Sequence, residues 1–149
     1  MIMTSYRDDN VFARILRGEL PAHKVFEDEY TLAFMDIMPQ VDGHTLVIPK
    51  YPAQDLFDLP AELLGHTLRT TQRVGSAVRQ AFAAPGIMVA QLSGAAAGQT
   101  VFHVHFHILP RHAGAEFRMH ARDFAPGALL AEHASRVRAM LEQLDADQG

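Results

Sequence analysis

Three histidines in strict alternation constrain this chain more than any other feature. In residues 99–110, His103, His105 and His107 stand two positions apart, with Phe102, Val104, Phe106 and Ile108 between and around them. A period of two is that of a β-strand whose two faces differ. The pattern predicts a strand with three imidazoles on one face, neighbouring Cα atoms roughly 6.6 Å apart along it, and an apolar face turned to a core. Pro110 has no N–H for a ladder and is expected to end the strand. One histidine on a strand is an ordinary half-buried polar residue. Three in one row, at positions Thr or Ser would fill as well, point to a site.

The rest of the chain reads as scaffold for that row. Asp8, Asp9 and Asn10 offer caps for a short helix carrying Val11, Phe12, Ile15 and Leu16, stopped by Gly18 ahead of Pro21. Strands are expected over 24–27 and 31–37, joined by a hairpin turn at Asp28 and Glu29. After a loop over 39–43, a buried strand over 44–48 closes at Pro49. Asp58, Pro60 and Glu62 then open a long helix, with Leu64, Leu68, Thr71, Val74, Val78 and Phe82 at helical spacing, ended by Pro85 and Gly86. Gly65 and Gly75 weaken that helix relative to Ala, and close packing against a neighbour would be a reason to keep them. A strand over 87–92 leads through a small-residue loop, 93–98, into the histidines. In such a loop backbone N–H groups can approach an anion, although a plain turn between strands explains it equally well. Residues 111–126 are loop-like, 127–144 form a helix with Leu130, Ala134, Val137, Met140, Leu141 and Leu144 on one side, and the tail frays. About five clustered strands and three helices predict an α+β fold on an antiparallel sheet.

At 149 residues the chain is expected to be a single domain, 1–149, able to bury a core without staples. A net charge of −4 with no block of Lys or Arg gives no footprint for nucleic acid or an anionic membrane. The absence of cysteine excludes disulfides, thiol catalysis and thiolate metal sites. No stretch approaches the roughly 20 apolar residues of a membrane span and the first residues carry no apolar signal core, so a cytoplasmic protein is expected.

A histidine row supports two chemistries. Histidines at i and i+2 on a strand can share one zinc, so a metal-dependent hydrolase using His103 and His105, with His44 as an optional further ligand, is one reading. The first and third members, however, lie roughly 13 Å apart by strand rise, and no carboxylate flanks them. The other reading needs no ion. Neutral imidazole is a good nucleophile near pH 7. It must present one nitrogen and have the other fixed, as a backbone carbonyl could do for His105. A neighbouring imidazole can then steady phosphate charge or protonate a leaving group.

The run from His103 to Leu109 resembles the signature of the histidine triad (HIT) family of nucleotide-binding proteins. Residues 12–21, 32–37, 43–50 and 97–102 are similar to further blocks of that family in the same order, so the resemblance spans about residues 10–111 and leaves 112–149 as a C-terminal extension. The branch it looks most like is the bacterial purine-nucleoside phosphoramidase type.

The resemblance implies a HIT-like fold and hydrolysis at the α-phosphate of purine nucleoside phosphoramidates or related conjugates, dinucleoside polyphosphates included. The route it implies is a covalent nucleotidyl-histidine intermediate. It implies His105 as nucleophile, His103 as its support, His107 on the phosphate and leaving group, and His44 as buttress. Gln99 and Thr100 would meet the α-phosphate or leaving group, with Gly98 and Ser93 in the same nucleotide-binding loop. Asp36 would take the ribose hydroxyls, and Phe12, Ile15, Phe34 and Leu46 would line a base pocket. The substrate would be an AMP-like or GMP-like purine nucleotide, with no cofactor and no catalytic metal, in a homodimer packed through helix 60–84.

Having His107 where the transferase branch carries Gln favours hydrolysis. Relatives often carry Asn where Leu92 and Ser93 stand, which leaves a catalytically weak nucleotide-binding module as a further alternative. Zinc-binding relatives have a Cys pair near Asn10 and Ala13 that is missing here. His23, His66 and His133 are expected at the surface, while His112 and His120 have no assigned role.

Overall fold

The computed structural model describes residues 5–115 and 123–148. Five antiparallel strands form one sheet: β1 (Lys24–Glu27), β2 (Thr31–Met35), β3 (Thr45–Pro49), β4 (Gly86–Gln91) and β5 (Phe106–Arg111), in the order β1-β2-β3-β5-β4. Three helices accompany it: α1 (Val11–Leu16), α2 (Ala61–Ala81) and α3 (Gly127–Gln148). This is the expected α+β architecture.

Local chemistry accounts for the boundaries. Asn10 caps α1 by accepting from the Ala13 N–H at 2.9 Å. Asp28 closes the β1–β2 hairpin, its Oδ1 accepting from the N–H groups of Tyr30 and Thr31. Strands β2 and β3 are buried at every position because both faces of the sheet are covered. One face packs Val25, Ala33, Met35, Val47, Phe106 and Ile108 against Val74 and Val78 of α2 and Leu130, Val137 and Leu141 of α3. The other packs Leu32, Phe34, Leu46 and Ile48 against Phe12 of α1. The long C-terminal helix therefore completes the main core.

Several expectations need correction. The histidine strand is shorter than the alternation implies: β5 begins at Phe106, so only His107 is in the ladder. Both neighbours set that start, since β3 pairs last at Val47↔Phe106 and β4 at Gln91↔Phe106. Phe102 is not in the core but only partly buried. Pro110 does not stop β5, which runs to Arg111. Pairing with β3 ends at Thr45↔Ile108, so the proline sits where one side of β5 is already without a partner. Helix α2 ends at Ala81, earlier than Pro85, with Ala83 at φ +48°. Leu68 is half exposed, while Thr67, Thr70 and Ala77 join the buried stripe. Thr70 shares a buried 2.7 Å hydrogen bond with Thr31. Residues 145–148 continue α3 instead of fraying, and Asp145 pairs with Arg73 of α2. His133 is buried, edge-on to Phe82 across the α2–α3 contact. His120 lies outside the described residues.

Candidate active site

The segment ahead of β5 lies beyond both neighbouring ladders, and this frees its backbone for other work. The Val104 N–H donates to the Ala53 carbonyl at 2.9 Å. The His103 carbonyl accepts from the His105 side chain, Nδ1 to O 2.7 Å. A carbonyl has no proton to give, so His105 Nδ1 carries the hydrogen and Nε2 keeps its lone pair. The ring of Phe12 stands edge-on to this imidazole at 4.9 Å between centroids. The His107 ring also lies 4.9 Å from it.

A second chain of hydrogen bonds fixes His107. Asp36 directly follows β2, and the loop behind it returns through Gly43 to His44, the residue just before β3. The Gln40 N–H donates to His44 Nδ1 at 3.1 Å. His44 must then carry its proton on Nε2, which lies 2.9 Å from His107 Nδ1 and donates to it. By the same logic His107 carries its hydrogen on Nε2. The row therefore presents a bare nitrogen at His105 beside an N–H donor at His107.

Burial keeps these rings neutral. It holds the His103 and His107 imidazoles down to about 4 and His44 to about 3, with the neighbouring imidazoles adding to the effect. His105 is lowered by the same burial, against the opposing pull of the His103 carbonyl. Asp36 moves the other way, raised to about 6 by burial, although its Oδ1 accepts from the Met38 N–H at 2.8 Å.

Asp36, His44 and His107 also place three ligand atoms within 4.8 Å of one another, the spacing a metal ion requires. The proton arrangement opposes one there. A metal on His44 Nε2 would need the proton moved to Nδ1, where it would face the Gln40 N–H. The set differs from the zinc set expected from the sequence, which used His103 and His105. His103 Nε2 is 2.8 Å from the Pro49 carbonyl and so serves as a donor.

The loop residues separate by role. Gln99 is buried, its side-chain amide donating to the carbonyls of Gln54 and Val101 and accepting from the Gly94 N–H. The N–H groups of Ala97, Gly98 and Gln99 bond within the same loop, and Gly98 takes a left-handed φ of +101° to close it. The Ser93 hydroxyl donates to Gln91 Oε1 and accepts weakly from the Leu56 N–H. Thr100 is exposed and opens onto a hollow of about 430 Å³ that Arg7, Asn10 and Gln54 also line. Phe12, Phe34 and Leu46 form one buried cluster with Ile15 packed against it, on the same sheet face as His107.

Sequence reasoning did not find Tyr6, whose hydroxyl reaches His103, nor the backbone groups of Gln40 and Pro49 that set the ring protons. Backbone partners leave no trace in residue type, and Tyr6 is an unremarked aromatic 97 positions from its contact.

Fold, histidine row and loop together define a member of the histidine triad class, and the HIT domain family matches residues 17–114. The chain belongs to that family. It is 38% identical over 121 residues to "Protein hit" of Bacillus subtilis, covering 78% of this chain and 83% of that protein. It is 38% identical over 101 residues to the adenosine 5'-monophosphoramidase HNT1 of Saccharomyces cerevisiae, covering 68% of this chain and 61% of the yeast protein. Among solved structures it is similar to a Hit-like protein involved in cell-cycle regulation from Bartonella henselae. That match has a TM-score of 0.86 and 44% identity, and it covers 91% of this chain and 99% of the other.

Proposed function

We propose that this protein is a metal-independent nucleotide hydrolase acting at the α-phosphate of purine nucleoside phosphoramidates or related nucleotide conjugates. The observation that carries this reading is the His105 tautomer: Nδ1–H on the His103 carbonyl, Nε2 bare in a ring that burial keeps neutral. The Nε2 lone pair attacks phosphorus. The bond from phosphorus to the leaving group breaks, and its electron pair departs with that group, which takes up a proton from solvent. The histidine, now bonded through Nε2 and protonated at Nδ1, is cationic, and the His103 carbonyl is already aimed at that charge. Water then attacks phosphorus and loses a proton to solvent, the phosphorus–nitrogen bond breaks, its electrons return to Nε2, and the nucleoside monophosphate leaves.

In this reading His107 donates its Nε2–H to a phosphate oxygen, held by His44. Asp36 accepts from the ribose hydroxyls, and Phe12, Ile15, Phe34 and Leu46 receive the purine. Thr100 faces the leaving-group side, while Gln99, Gly98 and Ser93 shape the loop that presents it. Among the described residues no helix is long and apolar enough to cross a membrane, in keeping with a cytoplasmic enzyme. The protein works as one HIT domain, 1–149, with residues 112–149 as its C-terminal extension, and as a homodimer.

Hydrolysis of an adenosine phosphoramidate by wild type and His105→Ala, both in excess chelator, tests the reading. Turnover by wild type and a loss of about three or more orders of magnitude in the variant are expected. Wild type that is inert until metal is restored would overturn it. Retained nucleoside monophosphate binding with negligible turnover in wild type would leave a binding module instead.

A further inference from the structure

Tyr6 precedes the segment that matches the family, yet it reaches the first histidine of the row. Its hydroxyl is 2.7 Å from His103 Nδ1, and the two rings meet edge-on at 5.7 Å. On the opposite side of the imidazole, Nε2 lies 2.8 Å from the Pro49 carbonyl. The carbonyl can only accept, so Nε2 holds the proton and Nδ1 is the lone pair that receives the Tyr6 O–H. His103 has no solvent exposure, so water cannot replace either partner while the segment stays closed.

Tyr6 itself is anchored on both sides. The Ser5 hydroxyl donates to Gln54 Oε1 at 2.7 Å, Asn10 caps α1, and Arg17 donates to the Asp8 carbonyl at 2.7 Å.

We propose that Tyr6 is a positioning residue for the reaction: its hydroxyl clamps His103 in the Nε2–H tautomer and so holds the His103 carbonyl where it orients His105. The proposal rests on the reading of His105 as nucleophile. Tyr6 touches no reacting atom and works through one ring and one carbonyl.

Removal of the hydroxyl leaves a buried lone pair with no donor. The ring then turns to find another partner, or it takes up a proton. The groups facing His103 are few: Tyr6, Phe12 of α1, the Pro49 carbonyl at the end of β3, and His105. Around the Tyr6 hydroxyl are the Asn10 amide and, further off, Arg17 and Asp8. A donor on Nδ1 favours the neutral ring, so its loss moves His103 protonation toward neutral pH.

The test is Tyr6→Phe in the full chain, with Tyr6→Leu beside it to separate hydroxyl from ring. Two-bond proton–nitrogen spectra are expected to show His103 of the wild type as the Nε2–H tautomer and the Phe variant as a mixture. For adenosine phosphoramidate, kcat is expected to fall about tenfold with KM within about twofold, and the acid limb of kcat to move to higher pH. Tyr6→Leu should match the Phe variant in these readouts and differ by a lower Tm. A wild-type His103 protonated at Nδ1 would overturn the clamp, as would an unchanged spectrum in Tyr6→Phe. Unchanged kcat alongside a changed spectrum would overturn the positioning role. The spectra need no substrate, so the clamp is decided separately from the phosphoramidate reaction.

Discussion

At the level of single residues, the site depends on which nitrogen carries a proton, and backbone carbonyl and N–H groups decide this as much as side chains do. Asp36 is the member with an ordinary working-range titration, because burial raises its carboxyl to about 6. If it accepts from both ribose hydroxyls, it does so with both oxygens only when ionised, above that pH. As pH falls through 6 the carboxyl gains a proton, and KM for a ribonucleotide substrate is expected to rise, by about tenfold one unit below the pKa. A 2′,3′-dideoxy analogue should show no such rise. Asp36→Asn should raise KM for the ribonucleotide at pH 7 and make it insensitive to pH between 5 and 7. The KM–pH profiles of both substrates check this, and an equal rise for the two would remove Asp36 from the ribose. The imidazoles of His44, His103 and His107, held neutral to about 4 or below by burial, add little in that window.

Among elements, the turn between Asp36 and β3 does the most to aim the site. Gly43 sits there at φ +89°, and a Cβ on it would lie 2.9 Å from the Phe82 ring and 3.0 Å from Pro110. The left-handed backbone and the close approach both demand glycine. Gly43→Ala is expected to lower stability by about 2–4 kcal/mol, read by urea unfolding, and to lower kcat by displacing His44 from His107. A loss below about 0.5 kcal/mol would show that the turn relaxes freely. Gly75 of α2 behaves differently. A Cβ on Gly75 would meet nothing within 4 Å, so packing inside this chain is not what keeps it. It borders a hollow of about 350 Å³ with Leu68, Ile87 and Val89, beside the free edge of β4.

That edge belongs to the scale of the whole molecule. Among the described residues β4 ends the sheet, with Val89 half exposed, and a strand edge left unpaired there is an apolar surface on which a second copy can add. The proposed homodimer predicts one dimeric species by light scattering at micromolar concentration and a monomer for Val89→Lys with its Tm little changed; a wild-type monomer would end the idea. The split between what is legible in the sequence and what is not follows the same scales. Residue order alone determined the local and periodic features: the Asn10 cap, the Asp28 hairpin, the long amphipathic α2 and α3, and the His103-His105-His107 row. These depend on neighbours a few positions apart. Only the tertiary structure decided where β5 begins, since that depends on where β3 and β4 stop. The same is true of the protons on His103, His105 and His107, which are set by Tyr6, Gln40, His44 and two carbonyls. It also buried His133 beneath Phe82. An alternating pattern specifies which side chains share a face, but hydrogen-bond partners brought together across the chain determine which of them can act as donor and which as nucleophile.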